Sequence, residues 1–126
     1  MIGYVTIGAE DMEASGKFYD AVFAAIGAER KSAEGGWIFY GPKGGDGVVG
    51  LCKPFDKNAA TSGNGSMLGF KAVSKDEVAA AHAAALASGG SDEGGPGFRP
   101  AESTSGFYGA YFRDPVGNKL CVFCMA

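Results

Sequence analysis

The chain repeats itself. Tyr4 and Met67 each open a strand-like run and stand 63 residues apart; the same offset carries Phe23 to Leu86 and Gly27 to Gly90, the ends of two helix-like runs. Two diverged copies of one supersecondary unit explain this spacing. In the first copy, Tyr4–Ile7 reads as a strand, and Asp11 can cap a helix from Met12 to about Ile26. Met12, Phe18, Tyr19, Val22, Phe23 and Ile26 form that helix's apolar stripe, and Gly27 ends it. Three short strands are expected next, at about 28–32, 36–40 and 47–52, separated by glycine-rich hairpin loops.

The run PFDKNAATSGNG, 54–65, is polar and turn-rich and reads as a linker. The pattern then restarts with a strand over Met67–Val73. Ser74 with Glu77 three residues on is a capping box, opening an alanine-rich helix to about Ser88 that Gly89-Gly90 ends. Strands are expected around 97–99, 106–113 and 119–125. The order is βαβββ, linker, βαβββ, in a single domain 1–126 with modules at about 1–53 and 66–126. The second copy is longer before its last hairpin, so the offset slips to about 69 and sets Leu51-Cys52 opposite Leu120-Cys121.

Composition narrows the function. With 46% hydrophobic and 20% charged residues the chain is an ordinary globular one, and its 22 glycines lie between apolar runs, as tight turns do. A net charge of −3 without a Lys/Arg cluster argues against a nucleic-acid surface. No apolar run is long enough for a spanning helix, and MIGYVTIGAED lacks the features of a signal peptide. Three cysteines, Cys52, Cys121 and Cys124, are an odd count that suits a reducing cytoplasm better than a disulfide framework. On a strand, Cys121 and Cys124 point to opposite faces and cannot chelate one metal together.

The last hairpin, FYGAYFRDPVGNKLCVFCMA, turns at Asp114-Pro115-Val116-Gly117-Asn118, where Pro115 presets φ and Gly117-Asn118 can take left-handed conformations. Paired βαβββ modules with this DP-x-GN hairpin, an opening strand followed by Asp11, and a helix carrying Phe18-Tyr19 together resemble the vicinal oxygen chelate superfamily of glyoxalases, bleomycin-resistance proteins and extradiol dioxygenases. The resemblance covers the whole chain. It implies an α+β fold in which two curved sheets form a cup, often completed by dimerisation.

The resemblance also implies metal-ligand positions, and these depart from the family pattern. The first-strand His corresponds to Tyr4, the fifth-strand His to Met67, and the Glu after the terminal Gly-Asn pair to Cys121. The fourth-strand Glu falls near Cys52. A phenol, a thioether and thiols are poor donors for a hard divalent cation, so no metal is expected. Cys52, Met67 and Cys121 converging on zinc or Cu(I) is a second reading, although strand Cys and Met ordinarily fill cores. The only His, His82, lies in the second helix, four residues from Val78 and from Leu86, and reads as partly buried and structural.

What remains is a ligand cup. Alternation puts Phe107, Gly109, Tyr111 and Arg113 on one strand face. The resemblance to thiol-transferase members points Tyr111 at the substrate, as a ligand-binding and candidate catalytic residue; a core Tyr is the competing reading. Trp37 and Phe39 share a face and can stack on a planar ligand, or simply pack. Arg99 and Glu102 belong to a loop that can reach over the cup mouth. A single helical His excludes a Ser-His-Asp set, GPKGGDGVVG is not a phosphate loop, and neither Cys52 nor Cys121 has a neighbouring base. The expectation is a homodimeric, metal-free binder of a small hydrophobic or aromatic metabolite through Tyr4, Trp37, Phe39, Cys52, Met67, Tyr111 and Cys121. The alternatives are a glyoxalase-type lyase or thiol transferase, or a metal-free isomerase or lyase using Tyr111 or Tyr4. No nucleic acid, membrane or cofactor is expected.

Overall fold

The structure, a computed structural model, describes all 126 residues. Its elements are β1 (Val5–Gly8), α1 (Met12–Ala24), β2 (Ala28–Glu34), β3 (Trp37–Pro42), β4 (Val49–Cys52), β5 (Leu68–Lys71), α2 (Lys75–Ala87), β6 (Ser91–Phe98), β7 (Phe107–Arg113) and β8 (Lys119–Met125). They form two four-stranded sheets of one topology, β1-β4-β3-β2 and β5-β8-β7-β6. In each sheet the first strand runs parallel to the last and the others pair antiparallel. The repeat read from the sequence is therefore a repeat of topology, and the fold is the expected two-module α+β arrangement.

Local signals account for both helices. Asp11 accepts from the Glu13 and Ala14 amides at 3.0 and 3.1 Å, satisfying donors that the first turn of α1 leaves open. Ser74 accepts from Glu77 N at 3.1 Å, and the Glu77 carboxylate reaches back to accept from Val73 N, one residue before the cap, at 2.9 Å. β6 is the element the sequence misplaces: it runs from Ser91 to Phe98, not only around 97–99. SDEGGPGF has no alternation of its own. Pairing with β7 imposes the strand, with irregularities between Asp92 and Gly94 and between Gly94 and Gly97, so Pro96 stands outside the paired register where its missing N–H is tolerated.

One cluster of 19 buried residues draws on both copies. Its seam is α1. Phe18 meets Phe112 of β7 at 6.1 Å, and Phe23 meets Phe70 of β5 edge-on at 5.0 Å. In α2 the buried stripe is Val78, Ala81 and Ala85; Leu86, the counterpart of Phe23, is 41% exposed. The alanines let α2 lie close on its sheet. At Gly90 a Cβ would fall 2.6 Å from Arg113 O, 2.7 Å from the Phe18 ring and 2.8 Å from Ala85 O, so glycine there is demanded by the close approach of the β7 and α2 backbones and of the α1 ring.

A polar latch joins the copies. The hydroxyl of fully buried Tyr19 donates to Asp114 Oδ2 at 2.6 Å, and Asp114 Oδ1 accepts from the amides of Val116, Gly117 and Asn118 at 2.9–3.0 Å. The Asn118 amide donates to Asp114 Oδ2 at 2.8 Å and to the Gly8 carbonyl of β1 at 3.1 Å. Only Gly117 of the turn is left-handed (φ 105°); Asn118 contributes its side chain rather than a left-handed backbone. Burial, and then the Asp114 carboxylate, hold the Tyr19 phenol well above its ordinary range.

Candidate functional site on the free faces of the sheets

Each sheet is covered by helix on one face only. Odd positions of β1 and β4 (Ile7, Val49, Leu51) and even positions of β3, β7 and β8 (Ile38, Tyr40, Ala110, Phe112, Leu120, Val122) are buried in the core. The alternate positions face away from the helices: Thr6, Trp37, Phe39, Gly50 and Cys52 on the first sheet, Phe107, Gly109, Tyr111, Cys121 and Phe123 on the second.

Register fixes which positions of the two copies correspond. Val5 pairs with Val49 and Leu68 with Leu120, so β4 and β8 are offset by 71 residues, not 69. Gly50 is thus the counterpart of Cys121, and Cys52 that of Phe123. The fourth-strand residue that corresponds to Cys121 by register is Gly50, two residues before Cys52; loops of different length before the last hairpin conceal the shift in the sequence. The same register makes Phe39, opposite Gly50, the counterpart of Tyr111, opposite Cys121.

On the first sheet the side chains form an aromatic plate. The Trp37 and Phe39 rings stack with centroids 5.5 Å apart and 7° between planes, and Tyr4 meets Phe39 edge-on at 6.0 Å. A Cβ on Gly50 would lie 3.0 Å from the Phe39 ring and 3.1 Å from that of Trp37. The glycine is the floor on which the plate rests. Trp37 is 37% and Tyr4 61% exposed, so the plate is open. The second sheet has a matching pair, Phe107 and Phe123, stacked at 5.1 Å and 12°. Here a Cβ on Gly109 would fall 2.7 Å from the Phe107 ring.

Tyr111 differs from its counterpart Phe39 in its company. Arg99 lies over its ring at 5.5 Å and Lys119 Nζ at 5.9 Å from the centroid, and Cys121 is directly across from it. Burial first, then the Cys121 thiol, push the Tyr111 phenol up, so it is a proton-bearing donor at neutral pH. Burial also raises both Cys52 and Cys121, which leaves neither as a ready thiolate. Glu102 is exposed and, like Arg99 in the same loop, makes no ion pair.

Of the residues in the soft-metal reading, Cys52 and Met67 line different clefts. Cys52 lines a cleft of about 840 Å³ with Trp37, Lys53 and Phe55, whereas Met67 lines one of about 590 Å³ between β1 and β5. Cys121 is 2% exposed beside Tyr111. At the positions where the resemblance puts metal ligands stand Tyr4, Cys52, Met67 and Cys121, a donor set that does not fit a hard divalent cation. His82 is remote from these faces: on the helix side, its Nε2 is 2.9 Å from Asp92 Oδ1 and its ring packs edge-on to Phe112. The sequence reading passed over Lys119. Strand alternation places it on the face of Cys121, and that signal was available.

A duplicated βαβββ unit with one helix and one four-stranded mixed sheet per copy defines a class of small α+β proteins. The chain belongs to the Glyoxalase/Bleomycin resistance protein/Dioxygenase superfamily, whose profile matches residues 1–122. A glyoxalase/bleomycin resistance protein from Albidiferax ferrireducens T118 is 38% identical, covers 98% of both chains and superimposes with a TM-score of 0.85. A family member from Burkholderia phytofirmans PsJN (20% identity, 99% of this chain and 98% of that one, TM-score 0.72) shares the fold. So does lactoylglutathione lyase from Agrobacterium tumefaciens (23% identity, 98% of this chain and 92% of that one, TM-score 0.64). None of the curated proteins matches the chain.

Proposed function

We propose that this protein binds a small molecule with a flat apolar part on the free faces of its sheets, without a catalytic divalent metal. The observation that carries the reading is the open plate of Tyr4, Trp37 and Phe39 laid on Gly50, which offers ring surface to a ligand rather than to the core. Tyr111 supplies a phenol donor on the other sheet, and a homodimer in the cytoplasm would cover faces that one chain leaves open. The neutral probe 2-naphthamide tests this by calorimetry: saturable binding is expected, weakened about tenfold by Trp37→Ala, the scale of one lost aromatic stack. No saturable binding of this probe would overturn the ligand reading. Stoichiometric zinc, nickel, manganese or iron retained by the purified protein would overturn the metal-free one.

The protonated Tyr111 phenol favours one enzymatic reading, a metal-free isomerase or lyase in which Tyr111 donates the proton. Tyr111→Phe should then keep ligand affinity and lose turnover; loss of both, or of neither, rejects it. The lyase or thiol-transferase alternative predicts turnover of the methylglyoxal–glutathione hemithioacetal that a chelator abolishes.

A further inference from the structure

The chain is acidic overall, with a net charge of −3, yet the free face of its second sheet is cationic. Arg99 and Lys119 flank Tyr111 from two directions, at 5.5 and 5.9 Å from its ring centroid, and neither has a carboxylate within ion-pair distance. Glu93 lies in the field of Lys119, but its carboxylate is held by Arg113 at 2.8 Å. Its neighbour Asp92 is engaged with His82 at 2.9 Å.

The Arg99 guanidinium is positioned, not loose. Its Nη2 donates to Gly95 O at 2.9 Å and its Nη1 to Phe98 O at 3.2 Å, which fixes the plane and leaves the remaining N–H donors free. Lys119 reaches the same ring from β8 and also lines the cleft of about 590 Å³ between β1 and β5, where Thr6 and Met67 lie. Two neighbouring cations without counter-charge repel one another and are relieved by an anion. Beside them on the same face are apolar rings. Cys121, across from Tyr111, and Phe123 are two residues apart on β8, about 7 Å along the strand, so the Phe107–Phe123 pair lies one such step from the ring that both cations approach.

We propose that the ligand of the second sheet is an aromatic carboxylate, its ring against Phe107 and Phe123 and its carboxylate between Arg99 and Lys119, with the Tyr111 hydroxyl as a further donor. This rests on the ligand-binding reading above and narrows it to a charge class. Charge-assisted hydrogen bonds from a guanidinium and an ammonium are stronger than neutral ones and fall with salt when exposed.

The test compares 2-naphthoate with its neutral isostere 2-naphthamide by calorimetry on the full chain at low and high salt. Naphthoate should bind at least tenfold more tightly at low salt, with the preference narrowing as salt rises. Arg99→Gln with Lys119→Gln should erase the preference, with an unchanged circular-dichroism spectrum and thermal midpoint showing that the variant is folded. Lys17→Gln, an exposed α1 lysine, should leave the preference unchanged. Equal affinity of the two probes in the native protein overturns the charge assignment and spares the ligand-binding reading. A preference that survives the double substitution places the anion elsewhere and overturns it as well. If neither probe binds, both readings fall.

Discussion

The two copies share a backbone plan and diverge in what they hang on it. On the free faces, Phe39 and Tyr111 occupy corresponding places. Phe39 stacks on Trp37 over glycine, while Tyr111 stands between Arg99, Lys119 and Cys121. On the covered faces, α1 inserts Phe18, Tyr19 and Phe23, and α2 meets its sheet with Val78 and alanines. The helices diverge because they do different jobs: α1 fills the seam between modules and needs volume, whereas α2 covers one sheet and needs closeness. The faces diverge because neither is constrained by the core. Duplication therefore gave one apolar platform and one polar, cationic one.

If α1 is the seam, its substitutions should cost most. Phe18→Ala should lower stability by about 3–5 kcal/mol, read from urea denaturation with both modules unfolding together; a cost below about 1 kcal/mol would show that the seam is not where the volume matters. Asp114→Ala removes the acceptor for five donors in the latch and should cost about 3 kcal/mol; Tyr19→Phe, which deletes one of those bonds, should cost less. For α2 the sign of the size change inverts: Ala81→Leu should destabilise by about 1–3 kcal/mol through overpacking, and a neutral result would mean that α2 is less tightly apposed than its buried alanines indicate.

The acid response sharpens the comparison further. His82 holds the Asp92 carboxyl, and Arg113 the Glu93 carboxyl, below the usual range. A depressed folded-state value contributes stability above the unfolded value and loses it as pH falls through the folded one. Below about pH 4 both ion pairs weaken, and β6 should show increased amide exchange before β2 does. Asp92→Asn with Glu93→Gln should flatten that response; an unchanged profile would assign the acid limb elsewhere. The smallest effect is on thiols. Cys52 is partly exposed and Cys121 and Cys124 are buried, so one equivalent should react with a thiol reagent in the native protein, faster as pH rises.

The parts of this architecture legible in the sequence are those set by local rules. Asp11 and Ser74 announce their helices, and the 63-residue offset holds from β1 to the end of α2. Failures begin where partners decide. Nothing within SDEGGPGF specifies a strand; β7 does. Matching cysteines suggested that Cys52 corresponds to Cys121, but hydrogen-bond register makes the match Gly50, a residue that shows itself only by the rings lying over it. Trp37, Phe39 and Tyr111 were placed by alternation, and Lys119 required the same rule on one more strand.

The latch between Asp114, Tyr19, Asn118 and Gly8 carries one more consequence. Residues 54–65 supply covalent continuity, but cohesion resides in α1 and the last turn, so the halves are partners by surface rather than by tether. A chain cut within that segment should reassemble from its two pieces and co-elute as a heterodimer, while each piece alone would expose the aromatic seam and aggregate.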